Sequence, residues 1–114
     1  MEKLVSPPKE SPEIEYLSDM YDDGLFPNFL VDKVRAELSS IVDFLMASVR
    51  SYEEVQQELD NCVSAINSIA DEFYEYDSEF ETVARNSIGA TMSVILKRFD
   101  ITIDIETAIR KRNW

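Results

Sequence analysis

The amino-acid sequence predicts an all-α protein: an antiparallel helical bundle of three long helices with a short helix at each end. Three observations carry this expectation. From Asn28 onward there is no proline and the only glycine is Gly89, so nothing forbids helix there. Apolar residues recur at spacings of three and four through three separate runs, the period of a helix with one buried face. Residues that accept hydrogen bonds from unpaired helix-start N–H groups stand where those runs begin.

Residues 1–10 read as a mobile N-terminal arm. Ser6-Pro7-Pro8 favours an extended polyproline-type chain and offers little to bury. Residues 11–114 then form a single bundle domain. Ser11 and Pro12 suit the N-cap and first helical position of a short helix over 12–22. Ile14, Leu17 and Tyr21 mark its face, with Tyr16 and Met20 beside it, and Gly24 ends it in the left-handed conformation that glycine tolerates. Pro27 opens the next helix, over 27–49, in which Leu30, Val34, Leu38, Ile41 and Leu45 form the core stripe.

Ser51-Tyr-Glu-Glu54 is a capping box, in which the serine oxygen and the glutamate each satisfy a backbone N–H. It starts a helix over 52–76, joined by so short a turn that it lies antiparallel to the one before. Val55, Leu59, Cys62, Ile66, Ile69 and Phe73 fall within an arc of roughly 80° at 100° per residue, and Glu53, Asp60, Asp71 and Glu75 fall opposite. Cys62, on the apolar stripe, is a small buried hydrophobe rather than a reactive thiol.

A second capping box, Ser78-Glu-Phe-Glu81, predicts a break near Asp77 and a new helix over 79–98. Its apolar residues (Phe80, Val83, Ala84, Ile88, Thr91, Met92, Val94 and Ile95) span nearly half its circumference, which predicts the central helix of the bundle. Gly89 and Ser93 lie on its other side. Ile101 to Ile103 is a connector, because a lone three-residue strand has no partner. Asp104 caps a last short helix with Ile105 and Ile109 inward, and Arg110, Lys111 and Arg112 sit in its final turn, where cations complement the helix dipole. Trp114 is expected to fold back on the core, since an indole buries much area.

Charge is segregated along the chain, whose formal net charge is −12. Residues 51–82 hold 10 acids and no base, whereas 83–114 hold 6 bases against 3 acids. A field of this sign repels phosphates and anionic lipid, so neither nucleic acid nor membrane is an expected partner. The lone cysteine forms no internal disulfide, no run reaches the length of a membrane span, and the N-terminus lacks the apolar segment of a signal peptide. These features predict a soluble protein of the cytoplasm.

There is no histidine, which excludes Ser-His-Asp and Cys-His nucleophile pairs, the HExxH zinc site and the Glu-x-x-His di-iron bundle. Phosphate-binding glycine loops, the GxSxG elbow and CxxC are absent too. Asp19 to Gly24 begins like a calcium loop but places Tyr21 and Leu30 where oxygen ligands are needed. The carboxylates from Asp71 to Glu81 face different ways round their helices. No catalytic residue, cofactor or metal is therefore expected, and the chain reads as non-enzymatic.

Three runs carry a family resemblance: Tyr16 to Asp23 leading into Phe26-Pro27 and Leu30 to Lys33; Ser78 to Arg85; and Asp104-Ile-Glu106 with the closing Arg112-Asn-Trp114. They resemble an uncharacterised family of small acidic bacterial proteins, a domain of unknown function, over nearly the whole chain. The resemblance implies a bacterial, cytoplasmic, single-domain protein and supplies no catalytic residue.

What remains is recognition by surface. The expected function is an acidic protein-binding module, an immunity or antitoxin-type inhibitor of a basic partner, with Glu53, Asp60, Asp71 and Glu75 as the acidic contact face. Tyr16 and Tyr21 join them as aromatic contacts, while Phe26, Phe29 and Phe73 are assigned to the core. The alternative is a homo-oligomer of structural or regulatory role, in which the acidic segment of one copy faces the basic segment of another.

Overall fold

The computed structural model describes residues 3–78, 80 and 82–114, and it is mostly helical. The elements in chain order are β1 (Leu4–Val5), α1 (Ser18–Asp23), α2 (Asn28–Ala47), β2 (Arg50–Ser51), α3 (Tyr52–Glu75), α4 (Thr82–Arg98) and α5 (Ile105–Ala108).

The two longest helices follow from the stripes and the cap. In α2 the whole predicted stripe is buried, joined by Val31 and Val42. In α3 Val55, Leu59, Cys62, Ile66, Ile69 and Phe73 are buried alongside Val63 and Ala70. The capping box is formed: Ser51 Oγ accepts the Glu54 N–H at 3.1 Å and Glu54 Oε1 accepts the Ser51 N–H at 3.0 Å. That backbone donor holds the Glu54 carboxyl below its ordinary range. The most extensive helix–helix contact is between α2 and α3, while α4 packs on α1, α2 and α5. The helix expected at the centre of the bundle therefore lies to one side of an α2–α3 pair. Its breadth of apolar residues misled, because Val83 and Val94 face outward.

The N-terminal region departs most from expectation. Residues 4–5 form an antiparallel pair with β2, Leu4 opposite Ser51 and Val5 opposite Arg50, and the Lys3 carbonyl accepts the Tyr52 N–H at 3.2 Å. Strand alternation turns Leu4 outward and buries Val5, so part of the expected mobile arm is pinned to the α2–α3 turn. The chain then bends at Lys9–Glu10 and runs without regular structure to Leu17, so α1 begins at Ser18 rather than near residue 12. Leu17 adopts left-handed backbone angles (φ 57°, ψ 33°) and its side chain is buried. Full burial of a leucine contributes about 1.5–3 kcal/mol, which offsets the roughly 1–2 kcal/mol cost of that conformation. Tertiary burial thus wins over local helix propensity.

At the other end, Asp104 Oδ2 accepts the Glu106 N–H at 3.1 Å and caps α5 as expected. Residues 101–103 form the expected connector, in which Ile101 is buried and the Thr102 N–H donates to the Tyr52 hydroxyl at 2.9 Å. Trp114 folds back: its ring meets Phe80 edge-on at 5.8 Å. Phe26, Phe73, Phe80 and Trp114 make a continuous aromatic row, with successive centroid separations of 5.8, 5.0 and 5.8 Å.

Candidate functional site

Two turns meet at one pole of the molecule. The first, between α1 and α2, is made by Gly24, whose φ of 78° is the left-handed conformation expected there. The Asp23 carboxylate accepts the Leu25 N–H at 3.3 Å across it. The second turn ends α3, where the Asp77 N–H donates to Tyr74 O and the Ser78 N–H to Phe73 O. Asp77 takes up the left-handed φ of 56°, an angle that Asp adopts more readily than most residues. The capping role expected for Ser78 involves Glu81, which lies outside the described residues. The buried Ser78 hydroxyl donates to Leu25 O at 3.1 Å and ties the two turns together.

Above this tie the surface is apolar. Leu25 is 78% exposed, Tyr76 58%, Phe29 49% and Val83 40%. Phe29 and Tyr76 meet edge to face at 5.2 Å. Phe26 and Phe73 are core, as expected, but Phe29 is not: it lies in the first turn of α2, beyond the reach of the aromatic row. Beside the patch is a cleft of about 450 Å³ whose lining runs from Asp23, Leu25 and Phe26 to Asp77, Ser78, Thr82 and Val83. No cation lines it among the described residues. Asp22, Asp71 and Glu75 are exposed on the flanking helix ends, and Lys33, on α2, is engaged by Glu72 at 2.7 Å.

Of the six residues predicted to bind a partner, Asp71 and Glu75 lie at this end of α3. Glu53 lies in the first turn of the same helix, 22 residues away and thus about 33 Å along the axis. It lines a separate shallow cleft with Phe44, Glu54, Gln57 and Glu58. One face of one helix therefore offers two distant acidic surfaces.

Asp60 belongs to neither and corrects the expected acidic face. Its carboxylate is buried and receives the Arg110 guanidinium through two bonds, Nε to Oδ1 at 3.1 Å and an Nη to Oδ2 at 2.7 Å. Gln56 donates to the same Oδ1 at 3.0 Å and to Thr107 O at 3.1 Å. The Arg110 bonds hold the Asp60 carboxyl below its ordinary range against the opposing effect of burial. Asn67 continues the clamp, donating to Lys111 O at 2.8 Å and accepting the Asn113 N–H at 3.0 Å. Asp60 thus fastens the C-terminal segment to α3.

The tyrosines are also engaged within the protein. Tyr16 is partly buried under the Arg35 guanidinium, 5.5 Å from the ring centroid. Burial, aided by the negative charge of Asp43, raises its phenol above the ordinary value. Tyr21 donates its hydroxyl to Asp32, and burial followed by that bond raises its phenol likewise. Neither lines the polar-rimmed cleft.

Leu25 and Val83 were missed. Leu25 had a signal, an apolar residue between Gly24 and Pro27 with no helical face to bury it, while Val83 carried the helical period and gave none. Cys62 is buried as expected, and burial pushes its thiol up to about 12. Among the described residues no cluster of three or more potential ligands could hold a metal ion, and no helix is long and apolar enough to cross a membrane.

A family of unknown function matches residues 10–114, which takes in every element from α1 to α5. The chain belongs to DUF5713. The match leaves β1 of this DUF5713 protein outside while including its partner strand β2. No curated protein and no solved structure matches it.

Proposed function

We propose that this DUF5713 protein is a non-enzymatic acidic binding module, an immunity or antitoxin-type inhibitor that neutralises a basic protein partner. In this reading α2, α3 and α4 form an antiparallel bundle whose task is to present the pole at the two turns. The meeting of Lys33 with Glu72, near the start of α2 and the end of α3, supports that arrangement.

The observation that carries the reading is the pole itself. Leu25, Phe29, Tyr76 and Val83 expose apolar and aromatic surface beside the exposed carboxylates of Asp22, Asp71 and Glu75, and protein interfaces combine an apolar centre with a polar rim. Opposite charge speeds encounter with a basic partner and suppresses acidic competitors. The test is capture on the immobilised full chain at low salt, elution by a salt step, and titration of the eluted protein's own activity with the free chain. Stoichiometric loss of that activity, weakened by salt, is the expected result. A column that retains no basic protein would overturn the proposal.

One observation favours a second reading. Lys97 and Arg98 are exposed at the end of α4 and have no ion-pair partner among the described residues, so a second copy could supply acids to them. Sedimentation at low and high salt separates the two, because a charge-paired oligomer dissociates as salt screens it.

A further inference from the structure

We infer that the cleft between the two turns is the anchor pocket of the surface at this pole and that it receives an arginine or lysine side chain of a protein partner. This rests on the protein-binding reading above and adds to it the chemistry of the residue recognised.

The lining determines the class of occupant. Leu25, Phe26 and Val83 supply apolar walls, and Asp23 and Asp77 supply negative charge. A long cationic side chain has that same division, a methylene stem that favours apolar contact and a charged head that needs carboxylates. Both carboxylates have capacity to spare. Asp23 uses one oxygen to accept the Leu25 N–H, and Asp77 makes no side-chain hydrogen bond among the described residues. The cleft, of about 450 Å³, is open to solvent, so a side chain presented by a protein surface can enter it.

Other occupants fit less well. An anionic side chain or phosphate would meet Asp23 and Asp77 with no cation among the described lining residues to offset them. A second copy seated pole to pole would bring its own Asp22, Asp23, Glu75 and Asp77 against these, whereas its exposed Lys97 and Arg98 lie at the far end of α4 from Thr82. A purely apolar side chain would bring no charge to meet the exposed carboxylates of Asp23 and Asp77. The exposed Phe29–Tyr76 pair beside the cleft then offers a platform for an apolar neighbour of the anchor.

The test needs no partner in hand. The ¹⁵N-labelled full chain is titrated with blocked tripeptides, alanine on either side of arginine, lysine, citrulline, norleucine or glutamate. The expected result is saturable movement of the Gly24, Leu25, Ser78 and Val83 amides with arginine and lysine. Citrulline, which keeps the shape of arginine without its charge, binds about tenfold more weakly or worse. The double variant Asp23→Asn, Asp77→Asn abolishes the response while its far-ultraviolet circular dichroism is unchanged. The inference is overturned if the shifts spread equally over the Glu53 end of α3, if citrulline matches arginine, or if no saturable shift occurs at the cleft. It is also overturned if those amides move with protein concentration alone, which would seat a second copy there. Capture of a basic partner with no arginine response leaves the binding-module reading standing and removes the anchor. An arginine response with no basic partner does the reverse.

Discussion

Phe80 and Phe29 are both aromatic, both near the α3–α4 end of the molecule, and should answer very differently to truncation. Phe80 is 1% exposed and is held between Phe73 at 5.0 Å and Trp114 at 5.8 Å. Phe80→Ala removes a fully buried ring and should cost about 3–5 kcal/mol. Phe80→Leu keeps most of the apolar volume but loses two aromatic pairs, each contributing about 0.5–1.5 kcal/mol beyond area, so its cost is about 1–3 kcal/mol. Phe29 is half exposed and touches one ring that is itself exposed, so Phe29→Ala should cost about 1 kcal/mol or less. At about 4 °C per kcal/mol for a chain of this size, the melting point falls by about 12–20 °C for Phe80→Ala and about 4 °C for Phe29→Ala. Urea titrations followed by circular dichroism give the same ranking as shifts in midpoint at constant slope. Equal losses for Phe29→Ala and Phe80→Ala would refute the reasoning. Phe29 would then be part of the scaffold, and the apolar patch at the pole would lose its standing as surface that folding does not need.

Other parts of the structure make sharp predictions as well. Because the folded Asp60 carboxyl titrates below its unfolded value, its contribution to stability is complete above about pH 4 and is lost as pH falls through the lower folded value. Asp60→Asn should therefore flatten the acid limb of stability, measured as urea midpoints from pH 6 downward, and speed hydrogen exchange of the α5 amides. The Cys62 thiol, pushed up to about 12 and buried, should react with a disulfide reagent at pH 8 only as fast as the protein unfolds, and added denaturant should release the full reaction. Removing residues 1–6 strips the buried Val5 from the α2–α3 turn and should lower stability by about 1.5–2 kcal/mol, whereas a mobile arm would leave the urea midpoint unmoved.

The long helices were legible because their physics is local. Two stripes at helical spacing and one capping box placed α2 and α3 to within about two residues of where they lie. The start of α1 was not legible. Ser11-Pro12 is a sound local start signal, but a buried Leu17 in left-handed conformation delays the helix to Ser18, and that competition is decided by neighbours distant in the chain. The β1–β2 pair was hidden for the same reason, as two residues leave no periodicity to read. The site was legible only in composition. Helical projection put Asp60 on the wet side of α3, and the residue that buries it, Arg110, is fifty positions away. The pole was invisible as a unit because residues 23–29 meet residues 76–78 and 82–83 only in the fold, through the Phe29–Tyr76 contact and the Ser78 hydroxyl, which helix-start logic assigned to another task.

The docking of Trp114 on Phe80 has an optical consequence. It is the only indole of the chain, so every photon of tryptophan emission comes from the point where the C-terminal segment closes on the start of α4. Its Nε1 is buried without an acceptor among the described residues, so emission from the folded chain is expected to lie to the blue of that from the unfolded chain. The Arg112 guanidinium lies 6.0 Å from the ring centroid, close enough for its charge to bias the colour. Release of the segment that Asp60 and Asn67 fasten would expose the indole to water and redden it. The native chain therefore carries its own lamp for watching that clasp open, without label or substitution, in any solution where the partner is colourless.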